Sequence, residues 1–525
     1  MAKVLISDEL SPSAVQVFET LGVEVDFKPG MSAEELMTAI GGYDGLAVRS
    51  ATKVTAEVLA AGENLKVVGR AGIGVDNIDV EAATQQGVVV MNTPYGNSVT
   101  TAEHAVAMML ALARRIPAAS QSTHEGKWEK SRFTGMEVSG KMLGLIGCGN
   151  VGSIVADRAQ GLKMRVIVAD PFLSADRAED LGVEKVDFDA LLARADIVSL
   201  HAPLNDSTRD MVDAAAFAKM KDGVRFVNCS RGGIVVEADL KAAIESGKVA
   251  GAAVDVFAEE PATDNVLFGM DEVIATPHLG AATSEAQENV AIQIAEQMSD
   301  YLLTGAVAHA INMPSVSAEE APKLMPYMKL AEDLGSFAGQ LTETALKAVN
   351  IEFQGLVAML NTRPLVSAVL NGLFGPLMES VNMVNAPMVA RERGIDVSET
   401  KQERPGDYET LIRLTVTTER MTRSVAGTLF GGDRARVVEI KGIEIEAELG
   451  EHMLYITNED KPGVIGNLGK TLGDAEVNIA TFHLGRVTAG ENAIALLQVD
   501  QPIDRALVRA LEGLPNIVQV KPLKF

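Results

Sequence analysis

Met142-Leu143-Gly144-Leu145-Ile146-Gly147-Cys148-Gly149-Asn150-Val151-Gly152 is the stretch that decides the fold of this 525-residue chain. An apolar run of strand type ends in G-x-G-x-x-G, and a helical pattern over 151–159 continues from it. In such a strand–turn–helix, Gly147 permits the tight turn and Gly149 lets the backbone approach a pyrophosphate. Gly152 allows the helix to pack closely on the strand, and the free N–H groups at the helix start hold phosphate charge. A second apolar run, 164–169, ends in Asp170, 18 residues after Gly152. A carboxylate there hydrogen-bonds ribose hydroxyls and repels a 2′-phosphate, which favours NAD over NADP.

Working outward, further apolar runs at 197–200, 224–228, 251–256 and 272–275 bring the strand candidates of this segment to six, enough for a complete dinucleotide-binding sheet. Upstream, runs at 3–7, 46–48, 65–68 and 88–90 alternate with helical patterns such as 32–40, as in a smaller doubly wound unit. A long Ala/Met/Leu-rich helix over 100–115 joins the two, and a helix over 284–303 precedes a break at Asn312-Met313-Pro314. Beyond it, 315–447 mixes a helix (322–341) with strand-like runs (410–417, 437–440), and 452–525 reads βαββαβ. The expected fold is α/β, with two Rossmann-like doubly wound domains followed by an α+β intervening domain and a ferredoxin-like unit. The expected boundaries are 1–97 with 280–313, then 98–279, 314–450 and 451–525.

Composition narrows the function. The chain is long enough for three or four domains, and 47% hydrophobic with 22% charged residues is ordinary for a globular protein with a sizeable core. A net charge of −25 repels phosphate backbones and anionic lipid, so neither nucleic acid nor membrane is an expected partner. An anionic substrate then needs a local cluster of Arg. The two cysteines, Cys148 and Cys229, lack metal-like or CxxC spacing, which predicts a reducing compartment and no metal centre. Acid at Asp8 and Glu9 stands where a signal peptide carries its apolar run, and no apolar stretch approaches the ~20 residues of a membrane span. The expected location is the cytoplasm.

Three segments end strand candidates on the side where open α/β sheets bind ligands. They are Asn228-Cys229-Ser230-Arg231-Gly232-Gly233, Asp255-Val256-Phe257-Ala258-Glu259-Glu260-Pro261 and Thr276-Pro277-His278-Leu279-Gly280. Hydride transfer at a carbinol carbon needs a proton acceptor on the oxygen, and His278 suits that task near neutral pH. Glu260 beside it would fix the imidazole tautomer, and Arg231 offers a planar fork for a substrate carboxylate.

With Gly69-Arg70-Ala71-Gly72-Ile73-Gly74-Val75-Asp76-Asn77, these segments resemble the D-isomer-specific 2-hydroxyacid dehydrogenases. The resemblance covers the whole length in the family's long, serine-pathway form. It implies NAD-dependent oxidation of 3-phospho-D-glycerate to 3-phosphohydroxypyruvate, the first step of L-serine synthesis. By the same resemblance His278 is the acid/base, Glu260, rather than Glu259, its partner, and Arg231 the substrate-orienting cation. NAD contacts are implied at Asn150, Val151, Asp170, Ala202, Cys229, Asp255 and His278, with Cys229 a pocket residue rather than a nucleophile. Arg49 and Arg70 are implied to bind the phosphate, with Asn97 and the Ala71 to Ile73 backbone near the carboxylate. A basic, aromatic-bearing loop, Lys127-Trp128-Glu129-Lys130-Ser131-Arg132, is expected to reach across a dimer interface to the neighbouring cleft, and the expected assembly is a homo-oligomer, dimer or tetramer.

Asn458-Glu459-Asp460-Lys461-Pro462-Gly463, followed by a helix and Asn478, resembles an ACT domain. That implies an L-serine effector held by Asn458 and Asp460, with Asn478 from a second copy. The preceding region resembles an intervening domain able to bind an anion or substrate, for which Arg391 and Arg393 are candidate ligands. The alternatives are a related dehydrogenase acting on hydroxypyruvate or glyoxylate, and a non-catalytic NAD-sensing regulator.

Overall fold

The alternating apolar runs become four β-sheets in the computed structural model, which describes residues 1–316, 320–378 and 380–525. The first sheet holds β1 (Lys3–Ile6), β2 (Glu24–Phe27), β3 (Gly45–Val48), β4 (Val67–Arg70) and β5 (Val89–Asn92). All its pairings are parallel, in the order β2-β1-β3-β4-β5. β3, β4 and β5 are buried along almost their whole length, which is why they read as continuous apolar runs. β2 is an edge strand, and its EVDF sequence carries too little apolar signal to stand out.

The helix Ser98–Arg114 leads into the second sheet. It comprises β6 (Met142–Ile146), β7 (Arg165–Ala169), β8 (Glu184–Lys185), β9 (Ile197–Leu200), β10 (Val224–Asn228), β11 (Val249–Val254) and β12 (Val273–Ala275). Their order, β12-β11-β10-β9-β6-β7-β8, reverses direction between β6 and β9. At such a switch point the loops from adjacent strands diverge and leave a crevice. The six expected strands are present, and the two-residue edge strand β8 makes a seventh. The chain then returns to the first lobe. Val290, Ala291, Ile294, Ala295 and Met298 of helix Ser284–Thr304 pack into one core with Val4, Ile6, Val67 and Met91.

The third sheet is mixed and six-stranded: β13 (Leu346–Gly355), β14 (Asp396–Gln402), β15 (Thr410–Thr418), β16 (Thr422–Phe430), β17 (Arg434–Ile440) and β18 (Ile443–Ala447). Only β13 and β14 pair in parallel. The helices Ala321–Gln340 and Arg363–Phe374 bury their apolar faces against it. The last sheet, β19 (His452–Glu459), β20 (Ile479–Arg486), β21 (Asn492–Val499) and β22 (Ile517–Lys524), is antiparallel in the order β20-β21-β19-β22. Its two crossover helices, Val464–Asp474 and Arg505–Glu512, complete the βαββαβ unit. Met453, Tyr455 and Leu523 of this sheet also enter the core under the third.

Candidate active site

At the switch point the backbone turns through Gly147, whose φ of +92° lies in the left-handed region that favours glycine. A Cβ there would meet the His201 carbonyl oxygen at 2.5 Å, and one on Gly152 would meet the Gly147 carbonyl at 2.4 Å. Around Gly149 there is nothing within 4 Å, so a ligand can come up to its backbone. Asn150 and Val151 open the helix Asn150–Gly161, and Asn150 donates to the Pro94 carbonyl of the other lobe. Asp170 follows β7, and its two oxygens accept from the N–H groups of Cys148 (2.7 Å) and Phe172 (2.8 Å). The carboxylate thus ties the end of β7 to the glycine turn. His201 leans on this turn with Nε2 2.9 Å from the Ser199 hydroxyl, while its buried Nδ1 has no partner. Burial pushes its pKa down to about 4, so the ring is neutral.

The loops after β10, β11 and β12 converge on one cleft of about 3150 Å³, open to solvent, between the first two lobes. His278 has φ +54° and is held there by its own N–H, which donates to the Asp255 carbonyl at 2.9 Å. Its Nδ1 lies 2.6 Å from Glu260 Oε2, and Glu260 Oε1 accepts from the Phe257 N–H at 3.0 Å. Burial by itself would raise the Glu260 carboxyl, but the His278 ring and the Phe257 N–H hold it below the usual carboxylate range. Arg231 donates from Nε to Asp76 Oδ2 at 2.9 Å and from Nη1 to the Ser230 carbonyl at 2.7 Å. Its Nη2 lies over Gly74, where a Cβ would come within 1.8 Å of it. Asn228, almost fully buried, shapes this loop by accepting from Ser230 and donating to the Arg231 carbonyl.

The first lobe supplies the cations. Arg70 ends β4 with Nε buried and unpartnered. Burial, and then the charge of Arg231, pull its pKa down to about 10, which still leaves a cation at neutral pH. Arg49 follows β3, and its loop is fixed by Asp8, whose carboxylate accepts from the N–H groups of Arg49, Ala51 and Thr52. Asn97 is buried with Oδ1 unpartnered, and the Ile73 carbonyl accepts from Asn92.

Of the residues singled out from sequence, Arg49, Arg70, Ile73, Asn97, Gly149, Asn150, Val151, Ala202, Cys229, Arg231, Glu260 and His278 all line this single cleft. Gly147, Gly152 and Asp170 stand behind it. Asp255 is fully buried beneath it. Its oxygens accept from the Thr276 hydroxyl (2.6 Å) and from the N–H groups of Leu279 (2.8 Å) and Gly280 (2.9 Å), with His104 Nε2 at 3.2 Å. Asp255 therefore anchors the His278 loop from below. The Cys229 and Cys148 thiols are pushed up by burial, Cys148 to about 11, and neither is a poised nucleophile. Asp76 lies inside the Gly69–Asn77 segment and Asp8 near the N-terminus, but neither they nor His104 stood out from the sequence as site residues.

In the last sheet, Asn458 is buried with Oδ1 unpartnered, while Asp460 accepts from Arg486 (2.5 Å) and from the Gly490 N–H. Asn478 donates to Asp500. Arg391 and Arg393 are exposed at the end of the helix Ala386–Glu392. No helix among the described residues is long and apolar enough to cross a membrane.

Comparison with known proteins agrees with this architecture. Residues 106–280 match the D-isomer specific 2-hydroxyacid dehydrogenase NAD-binding domain, and residues 323–441 match the D-3-phosphoglycerate dehydrogenase intervening domain. The chain is 43% identical to a D-3-phosphoglycerate dehydrogenase of Synechocystis, over all of this chain and 95% of the relative. It is equally similar to that of Archaeoglobus fulgidus, at 43% over 98% of both chains. The NAD+-bound 3-phosphoglycerate dehydrogenase structure from Entamoeba histolytica superposes with a TM-score of 0.52 at 29% identity, covering 60% of this chain and 99% of that one. With near-complete overlap at this identity, the chain belongs to the D-3-phosphoglycerate dehydrogenase family of D-isomer-specific 2-hydroxyacid dehydrogenases.

Proposed function

We propose that this chain oxidises 3-phospho-D-glycerate to 3-phosphohydroxypyruvate with NAD, as the entry step to L-serine. One observation carries this reading: the His278–Glu260 pair, the anchored Arg231 and Arg70, whose buried Nε lacks a partner, line a single cleft. With Nδ1 held by Glu260, His278 presents Nε2 to the substrate and takes the proton of the C2 hydroxyl. The imidazolium so formed is stabilised by the Glu260 carboxylate. Arg231 grips the substrate carboxylate through Nη2 and draws electron density from the adjacent carbon. Arg49 and Arg70 hold the phosphate, with Asn97 and the Ile73 backbone near the carboxylate.

The glycine turn fits a dinucleotide, since Gly149 is open to a close approach and the helix behind it starts at Asn150. NAD, when bound, supplies the hydride acceptor. Gly147, Gly149, Asn150, Val151 and Gly152 cradle the pyrophosphate, Asp170 selects an unphosphorylated ribose, and Ala202 and Cys229 form the apolar wall. The test is NADH formation from 3-phosphoglycerate with a trap for the keto product. His278→Ala should lose about a thousandfold in kcat. A variant that turned over at the wild-type rate would sink the assignment.

Serine binding at the last sheet is the regulatory part of this proposal. The unpartnered Oδ1 of buried Asn458 supports it, with Asp460 beside it and Asn478 supplied by a second copy. Saturating L-serine should slow turnover or raise the melting temperature, and absence of both effects removes the idea. A homo-oligomer, in which the loop of Trp128 would meet a second copy, would be detected by sedimentation equilibrium. Two unpaired cysteines suit a cytoplasmic location.

A further inference from the structure

Glu260 stands on the connection between β11 and β12, residues 255–272, which holds neither helix nor strand. A segment of that length keeps one shape only where side chains tie it to the lobe behind it. One such tie starts at Glu237, the first residue of helix Glu237–Glu245. Its Oε1 accepts from the Ala258 N–H at 2.8 Å and its Oε2 from Asn265 Nδ2 at 2.7 Å. Both carboxylate oxygens are thus committed to the connection, on either side of Glu260. Asn265 is itself locked, because its Oδ1 accepts from the N–H of buried Leu267 at 3.0 Å. The helix start suits a carboxylate, whose charge meets the positive end of the helix dipole.

The same residue continues the Arg231 loop. Between Arg231 and Glu237, Ile234 and Val235 are buried, and this stretch is bonded to Val212 from both sides. The Val212 N–H donates to the Ile234 carbonyl and the Val236 N–H to the Val212 carbonyl, each at 3.1 Å. Gly232 is pressed against the connection, where a Cβ would come within 1.8 Å of the Phe257 carbonyl oxygen. Phe257 donates its N–H to Glu260 Oε1, and the next N–H along the chain, that of Ala258, is the one Glu237 holds. Two successive backbone N–H groups therefore meet two carboxylates, one in contact with His278 and the other fixed to the loop of Arg231. Glu237 does not line the catalytic cleft, so it acts on the chemistry through Glu260 rather than on the substrate.

We propose that Glu237 is a positioning residue for the dehydrogenase reaction: it sets the place of Glu260 against His278 and registers that pair to Arg231. The inference rests on the reading of His278 and Glu260 as the proton-accepting pair. The group that takes the hydroxyl proton and the guanidinium that holds the carboxylate act on adjacent carbons of one small substrate, so their separation must be fixed. A misplacement of about 1 Å costs such a site about a hundredfold in rate. Asp255 fixes His278 from below, Asp76 fixes Arg231 from the other lobe, and Glu237 supplies the third restraint, on Glu260.

Steady-state kinetics on the full-length protein test this. Glu237→Gln keeps the volume but brings an NH2 group against either the Ala258 N–H or the Asn265 amide, so one tie is lost. The expected result is kcat lowered about tenfold, with KM for 3-phosphoglycerate and for NAD each within about twofold of wild type. In a Glu260→Gln background, Glu237→Gln should change kcat by less than about twofold, because the carboxylate it positions is gone. Asn265→Ala loosens the same tie more gently and should lower kcat about threefold in the same pattern. If Glu237→Gln fails to fold, the Asn265→Ala result decides, and an unchanged kcat there overturns the proposal. Wild-type kcat in folded Glu237→Gln overturns it too, as do losses that multiply in the double variant or a raised KM with kcat kept. Wild-type kcat in Glu260→Gln alone removes the reading of the pair itself, and the proposal with it.

Discussion

Arg231 Nε and Asp76 Oδ2 lie 2.9 Å apart across the cleft, one on the loop after β10 and the other on the loop after β4. The cation that is to grip the substrate is therefore anchored to the opposite lobe. Two of its three nitrogens are fixed, Nε by Asp76 and Nη1 by the Ser230 carbonyl, and Nη2 is left for an incoming carboxylate. Asp76→Asn keeps the shape but weakens the anchor. The expected result is a loss of about tenfold in kcat/KM, near 1.4 kcal/mol, with the melting temperature little changed because the pair is partly exposed. Steady-state kinetics check this, and an unaltered kcat/KM would mean that Ser230 alone aligns the guanidinium.

Glu260 is the second site of prediction. Its carboxyl is held below the ordinary range, so its charged form is favoured in the folded protein. The stability this pairing contributes is present above the ordinary carboxylate pKa of about 4.3 and is lost as pH falls through the lower folded value. Glu260→Gln should flatten that acid-side loss in a melting series. It should also cut kcat by about a hundredfold or more, since the imidazolium loses its counter-charge. If kcat survived, the proton acceptor would lie elsewhere.

Arg70 carries a mostly buried charge that forms no ion pair among the described residues, with Asp76 and Asp8 acting on it only from a distance. Removing such a charge costs the empty protein little, whereas the substrate loses its partner. Arg70→Leu should leave the melting temperature equal or higher and raise KM for 3-phosphoglycerate by about thirtyfold, near 2 kcal/mol. An unphosphorylated 2-keto acid should be affected far less. Equal damage to both substrates would argue against a phosphate role.

His201 sets a pH dependence of stability. Its folded pKa of about 4 lies below the ordinary 6.5, so above pH 6.5 neither state binds the extra proton. Between those values the unfolded chain takes up a proton that the folded one refuses, so stability decreases as pH is lowered. The contribution amounts to about 2 kcal/mol by pH 5. His201→Gln should reduce the loss of unfolding free energy between pH 7.5 and 5, measured by urea titration, by that amount. An identical drop in the variant would show that the ring titrates freely.

How much was legible follows from how local each signal is. The turn at Gly147 is written within six residues, because backbone sterics at glycine act on the residue itself. The buried parallel strands were legible because both faces demand apolar side chains. Besides β13, β16 and β18 of the third sheet, the edge strands β2, β8 and β14 were not. Each pairs on one side only, and the sequences EVDF, EK and DVSETKQ carry mostly polar residues. Asp255 shows the complementary limit. It stood out by its place after a strand and by resemblance, but the fold turns its carboxylate under the His278 loop instead of into the cleft.

The sequence by itself determined the order of most strands and helices, the glycine turn, and which His, Glu and Arg are the candidates for chemistry, because these depend on spacing along the chain. Tertiary structure alone decided that Asp76 reaches Arg231, separated by 155 residues, and that Asp8 shapes the loop of Arg49. It alone left Arg70 with a buried nitrogen lacking a partner. An ion pair or an unmet donor is a property of atoms within a few ångströms in space, and no spacing in one dimension encodes that distance.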